Sequence, residues 1–163
     1  ADNVIIRDPL PRDVPYVAAY MREHDKREIH AVTGLRDPLY LLWLSTTVST
    51  GCWVAAKGEV PFAVFGVAPV DLYTGSPWLL GTDEMFTVPR TLIKAGRAFV
   101  QEMMKEYSYL RNYVDARNVH SARWLAHLGF TVHPAQPYGA LGLPFHMFEM
   151  GIRPTEAIQC ARL

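Results

Sequence analysis

The chain has 163 residues, of which 50% are hydrophobic and 20% charged, a balance typical of a folded globular domain. Its 16 lysines and arginines equal its 16 aspartates and glutamates, so the formal net charge is zero. Zero net charge argues against a general nucleic-acid binder and against a protein held on anionic membranes by charge alone. We expect one domain over residues 1–163, with a peripheral tail over residues 153–163.

The cysteines and the apolar segments argue against a metal-binding, membrane-spanning or secreted protein. Cys52 and Cys160 are far apart and belong to no CxxC or Cys/His ligand spacing, which predicts reduced thiols and no metal site. The most apolar stretches, residues 39–44 and 60–70, are shorter than the ~20 residues that cross a bilayer. The N-terminal residues lack the basic and apolar regions of a secretory signal, so we expect no membrane span and no secretion by a signal peptide.

The first third of the chain predicts a strand and two helices. Residues 3–7 contain Val-Ile-Ile and form a short strand, after which Asp13 caps a helix that runs to about His24. Residues 25–37 are polar and loosely patterned, which is consistent with a frayed helix end or with a loop. Asp37-Pro38 then starts a second helix, because proline is favoured at the first helical position.

The middle third predicts three antiparallel strands. Residues 52–56 form one strand, Lys57-Gly58 a tight turn, and residues 60–67 the antiparallel partner. A further strand is predicted from Trp78 to Phe86, with Gly81 as a weak point or bulge.

The last part of the chain alternates helices and strands. Pro89 opens a long amphipathic helix, and a strand follows over residues 109–116. Asn118 caps a helix that Gly129 ends in the left-handed conformation. Short strands over residues 130–132 and 145–152 complete an α+β, mixed α/β class with one central sheet.

Residues 118–130, NVHSARWLAHLGF, resemble the N-x-x-A-x-x-L-Y-x-x-L-G-F helix of the GNAT N-acetyltransferases. The ordered set WLLGTDEMF, a helix rich in lysine and arginine, YLRNYVDARNVHSARWLAHLGF and FHMFEM resembles one branch, the GNAT-like internal virion protein A family of short-tailed phages. The resemblance implies a single GNAT-like domain whose central, mostly antiparallel sheet is flanked by helices.

The resemblance also implies a site for acetyl-CoA. In GNAT proteins the cofactor diphosphate binds a loop of pattern R/Q-x-x-G-x-G/A at a helix N-terminus, where backbone N–H groups and the helix dipole favour an anion. The matching stretch here is TVPRTLIKAGRAFV. Gly96 aligns with a late position, Lys94 stands where the first glycine is expected, and Arg90 is displaced from the basic position. Asn118 corresponds to a residue that contacts pantetheine, although a helix cap alone explains it.

These correspondences predict cofactor contacts from Arg90, Lys94, Gly96 and Asn118 in a degenerate glycine-rich loop. An alternative interpretation of the basic residues is a solvated edge of an amphipathic helix.

Candidate catalytic residues follow from the same resemblance. Family members use a carboxylate on the fourth strand as base, and Asp83 and Glu84 occupy the matching end of the predicted strand. Successive strand residues point to opposite faces, so at most one of the two faces the cleft, and both could be solvated. The family's tyrosine proton donor is replaced by Leu125, which leaves Tyr113 as the candidate donor, with Tyr138 and His120 as alternatives.

Two functions remain open. One is a phage internal virion protein that retains the scaffold with a degenerate acetyl-CoA site, contacts other virion proteins or a host protein, and is located in the virion or the host cytoplasm. The other is an active acetyl-CoA-dependent N-acetyltransferase that modifies a protein or a small amine. The apolar loop at residues 134–145 either covers a cleft or forms a protein-docking surface.

Overall fold

A computed structural model describes residues 3–155 of the chain, which form five α-helices, eight strands and one short 3₁₀-helix, Asp83–Thr87. The helices are α1 (Asp13–Ala19), α2 (Glu23–Thr33), α3 (Pro38–Val48), α4 (Pro89–Glu106) and α5 (Val119–His127). The strands are β1 (Val4–Arg7), β2 (Gly51–Lys57), β3 (Val60–Pro69), β4 (Thr74–Gly81), β5 (Tyr109–Asp115), β6 (Thr131–Val132), β7 (Gln136–Tyr138) and β8 (Leu143–Gly151).

All eight strands belong to one sheet with the order β1-β2-β3-β4-β5-β8-β6, and β7 pairs with β8. Every pairing is antiparallel except that of β4 with β5, which is parallel. That parallel pairing covers two residue pairs, Thr74 with Tyr109 and Gly75 with Leu110, and then stops. The sheet therefore has two antiparallel halves that touch at one end of β4 and β5 and separate towards the other.

Each face of the sheet carries its own apolar core. On one face, α4 and α5 pack against a cluster that includes Phe62, Phe65, Val100 and Leu125. On the other, a smaller cluster including Val17, Leu42, Val54 and Val64 lies under α1, α2 and α3. This two-sided burial explains why β3 has a nearly continuous apolar sequence, and it confirms the mixed α/β class predicted from the sequence.

Local sequence signals correctly mark several helix ends. The Asp37 carboxylate accepts a hydrogen bond from the Tyr40 N–H (3.0 Å), and Pro38 occupies the first turn of α3. The Asn118 side chain accepts a hydrogen bond from the Ser121 N–H (3.2 Å), and Gly129 follows α5 with φ +102°. These four predictions are confirmed because each depends on contacts within a few residues.

The predicted strand from Trp78 to Phe86 is wrong in its second half. Strand β4 ends at Gly81, and residues 83–87 turn into the 3₁₀-helix. The Thr82 hydroxyl accepts a hydrogen bond from the Glu84 N–H (3.3 Å) and so caps this short helix. The hydroxyl cap favours the turn over further strand pairing.

The polar segment after residue 22 is a helix, not a frayed end or a loop. Helix α2 runs from Glu23 to Thr33 and ends at Gly34, whose φ is +74°. Its buried face includes an aspartate, Asp25, besides Ile29 and Ala31. Because the inward face is partly ionic, the apolar spacing that usually reveals a helix is weak.

Three further features bear on the class of protein. Among residues 3–155, no helix has the length and apolar character needed to cross a bilayer. Within the same residues no group of three or more His, Cys, Asp or Glu side chains is arranged to hold a metal ion. Cys52 is a free thiol, whereas Cys160 and residues 156–163 of the predicted peripheral tail lie outside the described residues.

Candidate active site in the split sheet

The separation of β4 from β5 leaves part of one strand edge without a partner. The β4 residues at odd positions direct their backbone polar groups towards β5, because Gly75 pairs with Leu110 there. Pro77 has no N–H, and its carbonyl accepts a hydrogen bond from the Asn112 side chain on β5 (2.7 Å). At Gly81, the N–H donates to the Asp25 carboxylate (2.9 Å) and the carbonyl accepts from the Arg22 N–H (2.9 Å). Leu79 lies midway and has the same orientation, so its N–H and carbonyl face the split, where β5 no longer pairs with β4 and no other hydrogen bond of the described residues reaches them.

A cavity of about 630 Å³ passes through this split and is lined from both faces of the sheet. Leu79 on β4 and Val114 on β5 line it from within the sheet, between the two groups of helices. Most of the lining is apolar, as in many small-molecule sites. The unpaired edge at Leu79 is therefore exposed to a space large enough for a ligand.

The segments that form most of the α4–α5 side of the cavity contain basic but no acidic residues. Lining residues there include Ile93, Gly96 and Trp124. Residues 85–101 and 116–148 contain no aspartate or glutamate, although the whole chain is neutral. Within these segments, α4 and α5 carry the cations Arg90, Lys94, Arg97 and Arg123. Such a local excess favours an anionic ligand despite the zero net charge.

One polar atom on this side is buried without a hydrogen bond. The indole Nε1 of Trp124 has no partner among the described residues, although buried polar groups are normally paired. Trp124 also lines the cavity, so this orphaned donor lies in the wall of the site.

Helix α2 crosses the opposite side of the split and holds the ends of both strands. Its Asp25 carboxylate binds the Gly81 N–H at the end of β4, and Glu28 Oε1 accepts a hydrogen bond from the Asp115 N–H at the end of β5 (2.7 Å). The two carboxylates are three residues apart and so share one face of the helix. Helix α2 therefore fixes the distance between the separated strands.

Asp25 and Arg22 form a buried ion pair at this crossing. The Arg22 Nε and Nη2 donate to the two oxygens of Asp25 at 2.8 and 2.9 Å, and the side chains are 8% and 1% exposed. With the Gly81 N–H, the Asp25 carboxylate is fully engaged in structure. The Arg22 guanidinium also lies 5.8 Å from the centre of the Phe86 ring.

Glu28 differs from Asp25 because no cation pairs with it. Burial, together with the neighbouring carboxylates Asp25 and Asp115, raises the pKa of Glu28 from its ordinary value of 4.5 to about 7. The hydrogen bond from the Asp115 N–H and the charge of Arg22 act in the opposite direction but do not outweigh burial. Glu28 lines the cavity, and no hydrogen bond among the described residues occupies its Oε2. It is a carboxyl group able to exchange a proton near neutral pH.

The loop between β7 and β8 packs against the end of α2. The N–H groups of Ala140 and Leu141 donate to the carbonyls of Val32 (2.9 Å) and Ala31 (3.2 Å) at the end of α2. The Tyr138 ring stacks on Tyr113 of β5 with ring centres 3.8 Å apart. Residues 134–145 do not line the cavity, and both roles predicted for the loop stay predictions.

The predicted catalytic carboxylates lie away from this cavity. Asp83 and Glu84 belong to the 3₁₀-helix and do not line the cavity. Asp83 is exposed, and Glu84 pairs with the Lys57 ammonium (2.7 Å), whose hydrogen bond and charge lower the pKa of Glu84. Their expected position at the end of a strand was wrong because β4 ends at Gly81.

Tyr113, by contrast, lines the cavity, on the sheet face opposite to that of Val114. His120 also lines the cavity from the first turn of α5. The role of Tyr113 as proton donor stays a prediction.

The four predicted cofactor contacts occupy different positions. Arg90 and Lys94 are exposed on the first two turns of α4, next to the lining residues Pro89 and Ile93. Gly96 lies inside α4 and not in a loop, and a Cβ built on it would be 2.8 Å from Leu128 Cδ2. It therefore allows α4 to pack closely on the residues at the end of α5. Asn118 caps α5, as the alternative interpretation of that residue predicts.

Sequence reasoning missed Asp25 and Glu28 because their segment, residues 25–37, was not assigned to a helix. The available signal was the spacing of Arg22, Asp25 and Glu28 at successive intervals of three residues. That spacing places three ionisable groups along one face of a helix.

Comparison of the amino-acid sequence with protein-family models and with curated proteins gives no match. Solved structures do match along nearly the whole chain. A GNAT-family acetyltransferase of Bacillus anthracis has a TM-score of 0.68 at 12% identity, over 93% of this chain and 96% of that one. The ribosomal-protein-S5-alanine acetyltransferase of Vibrio fischeri gives 0.65 at 15% identity, over 93% and 94%.

The yncA protein of Salmonella typhimurium, solved with its cofactor acetyl-CoA, also gives a TM-score of 0.65 at 15% identity, over 93% of this chain and 95% of that one. At such identities the similarity establishes the architecture and not the activity. The separated parallel strands, the helices on both faces and these structural neighbours together show that the chain has the fold of the GNAT acetyltransferases.

Proposed function

We propose that the chain is an acetyl-CoA-dependent N-acetyltransferase that acts on an amine. The observation that carries the proposal is the unpaired backbone edge at Leu79, which lies in the wall of a 630 Å³ cavity between β4 and β5. A buried strand edge is normally paired, so an unpaired one facing a cavity is suited to an amide-containing ligand. The pantetheine arm of acetyl-CoA carries two amide groups.

The residues present fit acetyl-CoA in charge as well as in shape. Its phosphates would be attracted to the side of the cavity formed by α4 and α5, where Arg90, Lys94 and Arg123 supply positive charge and no carboxylate opposes it. Bound acetyl-CoA supplies an acyl group activated as a thioester. The overall reaction joins the amine nitrogen to the acyl carbon as the carbon–sulfur bond breaks, and the products are an amide and a thiol. Holding both reactants in one cavity is itself a large part of the rate enhancement.

A second candidate is the phage virion protein with a degenerate acetyl-CoA site, located in the virion or host cytoplasm. The observation that favours it is the segment between β4 and α4, which forms a 3₁₀-helix with the bulky side chains Met85 and Phe86 where the family has a glycine-rich loop. Both Met85 and Phe86 line the cavity. In this alternative, contacts with other virion proteins or a host protein would replace catalysis.

Calorimetric titration of the chain with acetyl-CoA distinguishes the two candidates, and Leu79→Pro is the informative variant. Proline removes the Leu79 N–H, which faces the split and not β3, so the β3–β4 pairing survives as it does at Pro77. Leu79→Ala is the matched control, because it removes the side chain and keeps the N–H.

We expect the parent chain and Leu79→Ala to bind acetyl-CoA and Leu79→Pro to bind at least tenfold more weakly. Circular dichroism of each variant verifies folding. If Leu79→Pro fails to fold, the titration of the parent chain with acetyl-CoA alone distinguishes the enzyme from the scaffold. Absence of heat and of thermal stabilisation at millimolar acetyl-CoA would reject the enzymatic proposal and favour the scaffold.

A further inference from the structure

The side of the cavity bounded by α2 and α3 has almost no free hydrogen-bonding group. The Thr33 hydroxyl donates to the Ile29 carbonyl (2.7 Å), and the Ser45 hydroxyl donates to the Leu41 carbonyl (2.8 Å). The Trp78 indole N–H donates to the Ser49 hydroxyl (2.7 Å). Arg22 and Asp25 are occupied by each other. Of the polar side chains lining this side, Glu28 and Tyr113 remain without a full set of partners.

The rest of this side is apolar. The lining side chains are Ile29, Val32, Leu41, Leu44, Trp78 and Leu80. A ligand rich in hydroxyl groups would leave several of its hydroxyls without hydrogen-bond partners here, which weakens its binding. An aliphatic or aromatic group loses nothing by entering such a space.

Given the proposed function, which this inference requires, we propose that the acceptor is a primary amine on a hydrophobic body and that Glu28 receives a proton from its ammonium group. Glu28 is placed for this because it lines the cavity, its Oε1 accepts the Asp115 N–H, and its Oε2 has no hydrogen bond among the described residues. One N–H bond of the ammonium breaks and one O–H bond forms on Glu28. The nitrogen keeps the electron pair that it needs to attack an acyl carbon.

The charged groups around Glu28 support this role. Asp25 and Asp115 face it with negative charge, each already paired with an arginine, Arg22 and Arg117 respectively. Burial and these carboxylates raise the pKa of Glu28 to about 7, so it gains a proton more readily than an ordinary glutamate. Because Asp25 and Asp115 are each paired with an arginine, the charge that attracts an ammonium ion here is that of the ionised Glu28 itself.

Glu28→Gln separates the chemical role from a structural one. Glutamine keeps an oxygen that can accept the Asp115 hydrogen bond but removes the charge and the proton-accepting group. Glu23→Gln is the matched control on the same helix, because Glu23 is 76% exposed and pairs only with Lys26 among the residues described. The acceptors are 3-methylbutylamine, which is apolar, and glucosamine, which carries several hydroxyl groups.

Three measurements are made on each variant. These are acetyl-CoA binding by calorimetry, equilibrium binding of 3-methylbutylamine by NMR at pH 8 in the presence of CoA, and acetyl transfer as a function of pH. We expect unchanged acetyl-CoA binding in all three proteins. Glu28→Gln should bind the amine at least tenfold more weakly and transfer acetyl about 100-fold more slowly. For the parent chain and Glu23→Gln, transfer should rise with a midpoint near pH 7 and favour 3-methylbutylamine over glucosamine by at least tenfold.

The outcomes separate the two proposals. No acetyl-CoA binding by the parent chain would remove the proposed function and this inference together. Normal acetyl-CoA binding and transfer, with Glu28→Gln retaining the parent's rate and pH profile, would overturn the role of Glu28 alone. Equal or faster transfer to glucosamine would overturn the acceptor class.

Discussion

The two sides of the split sheet differ in charge and in how that charge is used. On the α4–α5 side, cations lie on helix surfaces with no carboxylate among residues 85–101 or 116–148. On the α2–α3 side, carboxylates are drawn into the wall of the cavity, where Asp25 is neutralised by Arg22 and Glu28 is not. One side is suited to attract an anion and the other to hold a cation. In the proposed function, the two sides would bind ligands of opposite charge, although the chain as a whole has zero net charge.

The largest expected effect comes from removing the neutralised carboxylate. Asp25→Ala leaves Arg22 buried without its partner and the Gly81 N–H without an acceptor, which should lower the free energy of unfolding by about 3–5 kcal/mol. Urea denaturation followed by circular dichroism measures the change. Glu23→Ala, an exposed carboxylate on the same helix, should change stability by less than about 0.5 kcal/mol. A loss below about 1 kcal/mol for Asp25→Ala would show that α2 does not fix the strand ends.

Glu28, the carboxylate without an ion-pair partner, should have the opposite effect: its ionisation lowers the stability of the folded state, whereas the ionised Asp25 stabilises it. Because the pKa of Glu28 is raised from 4.5 to about 7, the folded state binds its proton more tightly than the unfolded state does. The stability that this proton contributes is present below pH 4.5 and is lost as pH rises to about 7.

Glu28→Gln removes this dependence on pH. Relative to the parent chain, the variant should therefore gain up to about 3 kcal/mol between pH 4.5 and pH 8. Denaturant titrations of both proteins across this range test the sign. A constant difference between them would mean that Glu28 titrates as an ordinary exposed glutamate.

The contact between α4 and α5 shapes the cationic side, and Gly96 sets it. Gly96→Leu places a side chain against Leu128 and should cost about 1–3 kcal/mol relative to Ala98→Leu at an exposed position of the same helix. Thermal unfolding of the two variants provides the comparison. Equal stability would indicate that Gly96 has no packing role, and the predicted role in cofactor binding would then be its remaining explanation.

The smallest effect concerns a single cation of the α4–α5 side. Arg123→Glu should weaken acetyl-CoA binding about tenfold at low salt and less at high salt, since exposed charges are screened. Lys105→Glu makes the same change of charge at the far end of α4 and should have little effect on binding. Calorimetric titration at two salt concentrations measures both. Equal effects of the two variants would show that the cations act only through the overall charge of the chain.

How much could be predicted from the sequence depends on the range of the interactions involved. The helix start at Asp37-Pro38, the Asn118 cap and the helix end at Gly129 depend on near neighbours, and all three were predicted correctly. The end of β4 at Gly81 involves both the Thr82 cap and the Asp25 carboxylate, which lies 56 residues earlier and which no local pattern around β4 could indicate.

The candidate site was harder to predict than the fold. Tyr113 was predicted, by position, to replace the missing family tyrosine, and it does line the cavity. Glu28 was missed because its helix has a polar inward face, and a helix of that kind lacks the apolar periodicity by which helices are recognised.

The central claim is that the unpaired edge of β4 is the binding surface for acetyl-CoA. The most direct measurement is the amide NMR spectrum of the ¹⁵N-labelled chain during titration with acetyl-CoA, followed by hydrogen exchange of the saturated protein. The Leu79 N–H should shift and become protected on binding, while the Leu80 N–H, which faces β3 and pairs there, should remain protected throughout. Acetyl-CoA binding that leaves the Leu79 amide unshifted and unprotected would contradict the claim.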